Sequence, residues 1–154
     1  MKNRNTELQI EQLDSKMKIL RPLKEISIPS KGWINAIRNT LNMSLVQLAK
    51  RLKKTPVSVR EIEIREIDKS VTLKKMIEVA EAFDFHFVYG FVPKESSLMT
   101  MIDKRVQQVA REVVMRTSQT MALEDQENSE ERLQQAIHDL AKKLKQEMPK
   151  YLWD

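Results

Sequence analysis

The chain has 154 residues, 41% hydrophobic and 32% charged, with two glycines, no cysteine and a net charge of +5. That length accommodates one substantial core or one small domain with extensions, and the scarcity of glycine points to helices rather than glycine-dependent turns. Without cysteine there are no disulfides and no thiolate metal site, and no apolar run approaches the roughly 20 residues of a membrane span, so a soluble cytoplasmic protein with no membrane attachment is expected.

From the N-terminus, Leu8, Leu13, Met17 and Leu20, with Ile10 near the stripe, predict a helix that Pro22 ends. Leu23 to Ser30 alternates weakly through Ile26 and Ile28 and contains Pro29, which reads as an extended connector. Its role is that of a tether; Arg21, Lys24 and Lys31 also give it a route to a polyanion. Trp33, Ile34, Ile37 and Leu41 then form the apolar stripe of a second helix, with Trp33 as a core anchor.

Met43 to Glu63 reads as two short helices joined by a tight turn. Ser44 caps the first, whose buried stripe is Leu45, Leu48, Ala49 and Leu52, spaced i, i+3, i+4, i+7. Lys53, Lys54 and Thr55 break that pattern. Thr55 is an N-cap candidate and Pro56 suits a first helical position, where the amide hydrogen it lacks has no partner anyway. Val59 and Ile62 turn inward, Val59 filling the wedge beside the small crossing residue Ala49. Thr55, Val57, Ser58, Arg60 and Glu61 face outward. In a DNA-binding helix-turn-helix that outer face enters the major groove, where arginine can donate to guanine, glutamate can accept from cytosine, and valine can pack on a thymine methyl.

Charge placement agrees with this. Between Lys31 and Ile77 there are eleven basic and four acidic residues, a net +7, leaving −2 for the remainder. Positive charge concentrated on the segment that would dock is the electrostatic footprint of nucleic-acid binding. On that reading Lys53, Lys54, Thr55, Pro56, Val57, Ser58, Arg60, Glu61 and Arg65 are the candidate DNA-binding residues.

Thr72 caps a further helix with Leu73, Ile77, Ala80 and Phe83 as its stripe. The period then changes. Phe85, Phe87, Tyr89 and Phe91 alternate with His86, Val88, Gly90 and Val92, which predicts a short β-strand stopped by Pro93. A lone strand leaves its backbone unpaired. It would pair either with the same strand of a second subunit, making Phe87, Tyr89 and Phe91 dimer or partner contacts, or with Glu25 to Ile28. His86 carries no chemistry in either case.

Beyond Lys94, Ser96 or Ser97 caps a long amphipathic helix bearing Leu98, Ile102, Val106, Val109 and Val113. Thr117 to Asn128 has no clear period and reads as a bent connection, acidic from Glu124 to Glu127. Ser129, Glu130 and Glu131 start a last helix with Leu133, Ala136, Ile137, Leu140, Ala141, Leu144 and Met148, which Pro149 ends. These apolar faces pack on the first helix, on each other or on a partner protein.

Catalytic signatures are lacking: there is no cysteine nucleophile, glycine-rich phosphate loop or strand-elbow serine, and no histidine stands beside a carboxylate at a motif spacing. His86 and His138 are 52 positions apart, so no metal-site spacing exists. A non-enzymatic protein without cofactor or metal is expected.

Ser44, Leu48, Ala49, Leu52, Val59 and Glu63 fall where Xre/Cro-type helix-turn-helix proteins have their cap, core leucines, crossing residue, wedge and closing glutamate. Glu11 to Asp14, Gly32 to Arg38, Thr72-Leu73, Phe87 to Tyr89 with Val92-Pro93, and Met121 to Gln126 extend the likeness. Over nearly its whole length the chain resembles the mobile mystery protein A family, associated with bacterial mobile elements and with a partner carrying a Fic domain. The resemblance implies an antitoxin-like repressor that binds double-stranded DNA near its own operon and holds a Fic-type toxin. Two positions depart from the wider pattern: Lys53 stands where the turn usually has glycine, and Leu45 replaces a polar, phosphate-touching residue.

The expected architecture is mainly α. It comprises an N-terminal helix and connector over 1–30, an Xre/Cro-like helix-turn-helix domain of four to five helices over 31–84, a strand and possible homodimer ribbon over 85–93, and a C-terminal helical region over 94–154.

Overall fold

The structure, a computed structural model, describes the backbone of residues 2–123 and 129–154 and the side chains of residues 4–120 and 129–154. Its α-helices are α1 (Lys2–Leu20), α2 (Gly32–Thr40), α3 (Leu45–Leu52), α4 (Pro56–Ile67), α5 (Leu73–Ala82), α6 (Leu98–Leu123) and α7 (Glu130–Glu147), with 3-10 turns at Arg21–Glu25 and Lys150–Trp153. The protein is mainly helical, and no strand occurs among the described residues. The chain divides into two compact units, one of residues 25–90 and one of residues 1–24 with 91–154.

The 25–90 unit is built on α2 to α5. Ile34, Leu48, Ala49, Val59, Ile62, Val79 and Phe83 form its buried core, and Leu45, Leu52 and Met76 pack against it. The helix ends follow from local sequence. The Ser44 hydroxyl accepts from the Gln47 amide while the Gln47 side chain accepts from the Ser44 amide, a reciprocal capping box. Thr55 and Thr72 cap α4 and α5 through the amides of Ser58 and Lys75. At the other end of α3, Lys53 is left-handed (φ 55°, ψ 43°), its amide donates to Lys50 O, and the Lys54 amide donates to Ala49 O at 2.9 Å. This Schellman pair occupies the carbonyls that the helix leaves open. With so few glycines, left-handed turns fall on Asn42, Lys53, Lys69, Asp84 and Met148.

Gly32 is the one position here where glycine is required. Its φ is +82°, and a Cβ there would lie 2.7 Å from a Glu66 carboxylate oxygen. That carboxylate reaches from α4 to cap α2, accepting from the amides of Trp33 (2.6 Å) and Ile34 (2.9 Å).

The second unit is a pairing of α6 and α7 with α1 laid along α6. Ile102, Val106, Val109, Ala110, Ile137, Ala141, Leu144 and Leu152 are its buried core, with Ile10, Val114, Leu140 and Met148 packed on them. The apolar faces of the C-terminal helices therefore meet each other and the first helix. Asp14 of α1 plays the part that Glu66 plays in the other unit, accepting from the amides of Leu98 (2.6 Å) and Met99 (3.1 Å) at the start of α6.

Several expectations need correction. Trp33 is 43% exposed and Leu41 is also exposed, because α2 turns Ile34 and Arg38, four residues apart, to the core. On α5 the inward stripe is Met76, Val79 and Phe83, leaving Leu73 and Ile77 outside. On α1, Ile10 packs on the core while Leu8 and Leu13 are exposed. Helix α6 continues to Leu123, where a bent connection was expected; the acidic run Glu124–Glu127 lies outside the described residues. Residues 85–93 form no strand, since neither Glu25–Ile28 nor any other described segment gives them a ladder.

Candidate functional site

Helix α4 presents two unlike sides. Val59, Ile62 and Glu63 are buried, whereas Thr55, Pro56, Val57, Arg60, Glu61 and Arg65 are exposed, and Ser58 is half-buried behind its cap bond to Thr55. Lys53 and Lys54, in the turn before the helix, are exposed too. The structure thus brings all nine sequence-predicted residues onto α4 and its leading turn. Val57 is 68% exposed, an apolar side chain in water beside cationic and anionic neighbours. Arg60 and the lysines can donate hydrogen bonds, Glu61 can accept them, and Val57 offers an apolar contact.

What fixes the helix is the buried ion pair beneath it. Arg38 Nε donates to Glu63 Oε1 at 2.7 Å and Arg38 Nη2 to Glu63 Oε2 at 3.4 Å, with Asn35 Nδ2 donating to the same Oε2 at 3.0 Å. The remaining guanidinium nitrogen donates to Met43 O at 3.0 Å and to Asn39 Oδ1 at 3.2 Å. Arg38 is 9% and Glu63 7% exposed, and they are the buried charged residues among those described. A charge taken out of water is tolerated only when paired and hydrogen-bonded, and both groups meet that condition. Glu63 and Glu66, three residues apart, lock α4 to α2 from two sides.

Neither Arg38 nor Glu66 belongs to a motif that marks it as structural, yet both hold α2 and α4 together. The signal was present: Arg38 stands four residues after Ile34 on a buried stripe, where arginine almost never sits without a partner.

Basic side chains gather beside the turn. Glu78 on α5 forms an ion pair with Lys75. Its carboxyl is held below the ordinary carboxylate range, first by the hydrogen bond from Lys75 and then by the charges of Lys75, Lys54 and Lys74. One carboxylate thus sits among three lysines. On the other side of α4, Lys31, Asn35, Leu45, Arg60, Ile64 and Ile67 line an open cleft of about 350 Å³.

The aromatic residues after α5 are arranged differently. Phe87 is half-buried, Tyr89 is 67% and Phe91 81% exposed, and the Phe87 and Tyr89 rings stack with centroids 6.2 Å apart.

Among the described residues there is no group of three or more histidines or carboxylates that could hold a metal ion, and no helix long and apolar enough to cross a membrane. Comparison with known families, characterised proteins and solved structures gives no match for this chain.

Proposed function

We propose that this protein is a sequence-specific, dimeric DNA-binding regulator of transcription, with α3 and α4 as an Xre/Cro-like helix-turn-helix and α4 as the element that enters the major groove. One observation carries the reading: α4 is held from below by Val59, Ile62 and the buried Arg38–Glu63 pair, while Thr55, Val57, Arg60 and Glu61 are exposed on its outer side. A helix that reads bases needs that combination, since its donors and acceptors must meet base edges without the helix itself giving way. Lys53 and Lys54, with Lys74 and Lys75 nearby, supply the cations that contact phosphates and set register. The Schellman turn supports the assignment as well, because Lys53 adopts the left-handed conformation that glycine usually provides there.

Autorepression and a Fic-domain toxin partner rest on the family resemblance alone. A second reading, a partner-binding, toxin-neutralising protein in which DNA binding is secondary, rests on the apolar stripes of α6 and α7 and on the acidic segment from Glu124 to Glu127, which lies outside the described residues. Those stripes are the core of their own unit. A non-enzymatic role is part of the proposal.

The reading is tested by competition binding with DNA from upstream of the gene and with scrambled DNA, at several salt concentrations. Arg60→Ala relaxes base preference, whereas Lys54→Ala weakens all sequences alike and lowers the salt slope by about 1. Equal affinity for upstream and scrambled DNA, with Arg60→Ala silent, overturns it.

A further inference from the structure

Residues 85–93 hold eight uncharged side chains and His86, four of the nine being aromatic at every second position from Phe85 to Phe91. The Phe85 amide is already engaged with Ala80 O at 2.8 Å. Among the described residues no hydrogen bond uses an amide from 86 to 92, and none of those residues has positive φ. The segment is thus compatible with a strand, offers unused donors, and exposes Tyr89 and Phe91. Its flanks are of opposite sign: Asp84, with a side chain 93% exposed and 4.0 Å from Arg51, and Lys94.

We propose that a second copy of this chain covers the segment, the two pairing antiparallel about a two-fold axis at Tyr89. This names the interface of the dimer in the functional reading above and rests on its dimeric part, not on DNA binding. Three features together fix direction, face and hydrogen-bonding phase. Asp84 is left-handed (φ 60°) and its amide donates to Glu81 O, so it lies just outside the ladder, but in this pairing its carboxylate stands at the end nearest the partner's Lys94, whereas a parallel pair sets like charge against like. Phe87 falls opposite the partner's Phe91 and Tyr89 opposite itself, so all eight rings share one face; a slip by one residue splits them between faces. Antiparallel ladders alternate hydrogen-bonded and non-bonded pairs. With Tyr89 in a non-bonded pair, the ladder draws on the amides of His86, Val88, Gly90 and Val92, and asks nothing of Phe85, whose amide is occupied, or Pro93, which has none. Non-bonded pairs also bring side chains closest, where the aromatic residues lie.

The test uses the full chain, which has no native cysteine to interfere. Under mild oxidation Tyr89→Cys cross-links to a covalent dimer, because the two Cα atoms of a non-bonded pair lie about 4.5 Å apart. Phe85→Cys, eight positions out of register with its copy and so roughly 27 Å from it, and Gln134→Cys on exposed α7, both stay monomeric. In sedimentation equilibrium Asp84→Lys and Lys94→Asp each weaken the dimer several-fold, and combining them restores it. A dimer in which Tyr89→Cys links no faster than the controls uses another surface, which overturns this interface and leaves the dimeric reading standing. A protein monomeric at all concentrations, with no cross-link at Tyr89, overturns both the interface and the dimer. Cross-linking at Tyr89 only to a different protein assigns the segment to a foreign strand and also overturns the proposal.

Discussion

The two units solve the same problem with different materials. In each, a carboxylate from a distant helix closes a helix N-terminus: Glu66 over the amides of Trp33 and Ile34, Asp14 over those of Leu98 and Met99. Beneath that likeness the cores diverge. The unit of residues 1–24 and 91–154 buries only apolar side chains among its described residues, whereas the 25–90 unit also buries Arg38 and Glu63. Apolar packing is non-directional and tolerant of sliding. A paired guanidinium and carboxylate are directional, and they stand beneath α4, the helix proposed above to read bases. The difference teaches where this chain needs a helix held in place and where it only needs a helix covered.

The largest effect that could break this comparison comes from removing one half of the pair. Glu63→Ala leaves Arg38 buried and uncompensated and costs about 3–5 kcal/mol in denaturant unfolding. Replacing both, as Arg38→Met with Glu63→Leu, recovers most of that stability while binding to a specific site stays impaired. Should the double variant also bind normally, the pair is a stabiliser like any other and the contrast between units dissolves. In the apolar unit the counterpart is Leu152→Ala. Leu152 is fully buried although it lies in a 3-10 turn of four residues, so its loss costs about 2–5 kcal/mol. Binding to DNA is unaffected by it at temperatures where the protein stays folded.

A smaller effect sharpens the comparison at the turn before α4. Lys53 holds a left-handed backbone that disfavours any residue with a Cβ, so Lys53→Gly raises stability by about 1 kcal/mol in thermal unfolding. The same change removes one cation from the proposed interface, and binding weakens uniformly across sequences. Smallest of all are the effects at two surface pairs, one taken from each unit. Hydrogen bonds from Lys75 and Lys104, respectively, hold the carboxyls of Glu78 and Glu95 below their ordinary value of 4.5. A depressed folded-state value means that the stabilisation is present above that pH and is lost as acid titrates the folded group. Carboxyl titration followed by NMR finds both shifts removed in Lys75→Met and Lys104→Met, with a slight loss of stability at pH 7 that vanishes in acid, small because both carboxyls are exposed and screened.

How far these features can be read from sequence depends on range. Ser44, Thr55, Pro56 and Thr72 announce helix starts because a cap acts within three residues, and the structure places all of them as expected. The face of α4 was equally legible, because Val59 and Ile62 fix its rotation. Trp33 was not: the pattern of α2 admits Trp33 or Arg38 on the buried side, and only Glu63, 25 positions away, decides for Arg38. Leu152 escaped for a similar reason. Four residues of 3-10 turn have no period to read, and the anchor is Arg105, which donates to Leu152 O and Asp154 O from another helix. The alternation from Phe85 to Phe91 is real in the sequence, yet a strand is a property of two segments, and one chain supplies only one.

The central claim is that the outer side of α4 reads base edges, and a footprint of the full chain on the DNA upstream of its gene addresses it most directly. The expected result is a protected site of two symmetry-related halves about 34–36 Å apart, or a multiple of that spacing, whose preference over flanking DNA Arg60→Ala removes. Protection that is absent, or that covers upstream and unrelated DNA alike and persists in Arg60→Ala, contradicts the claim.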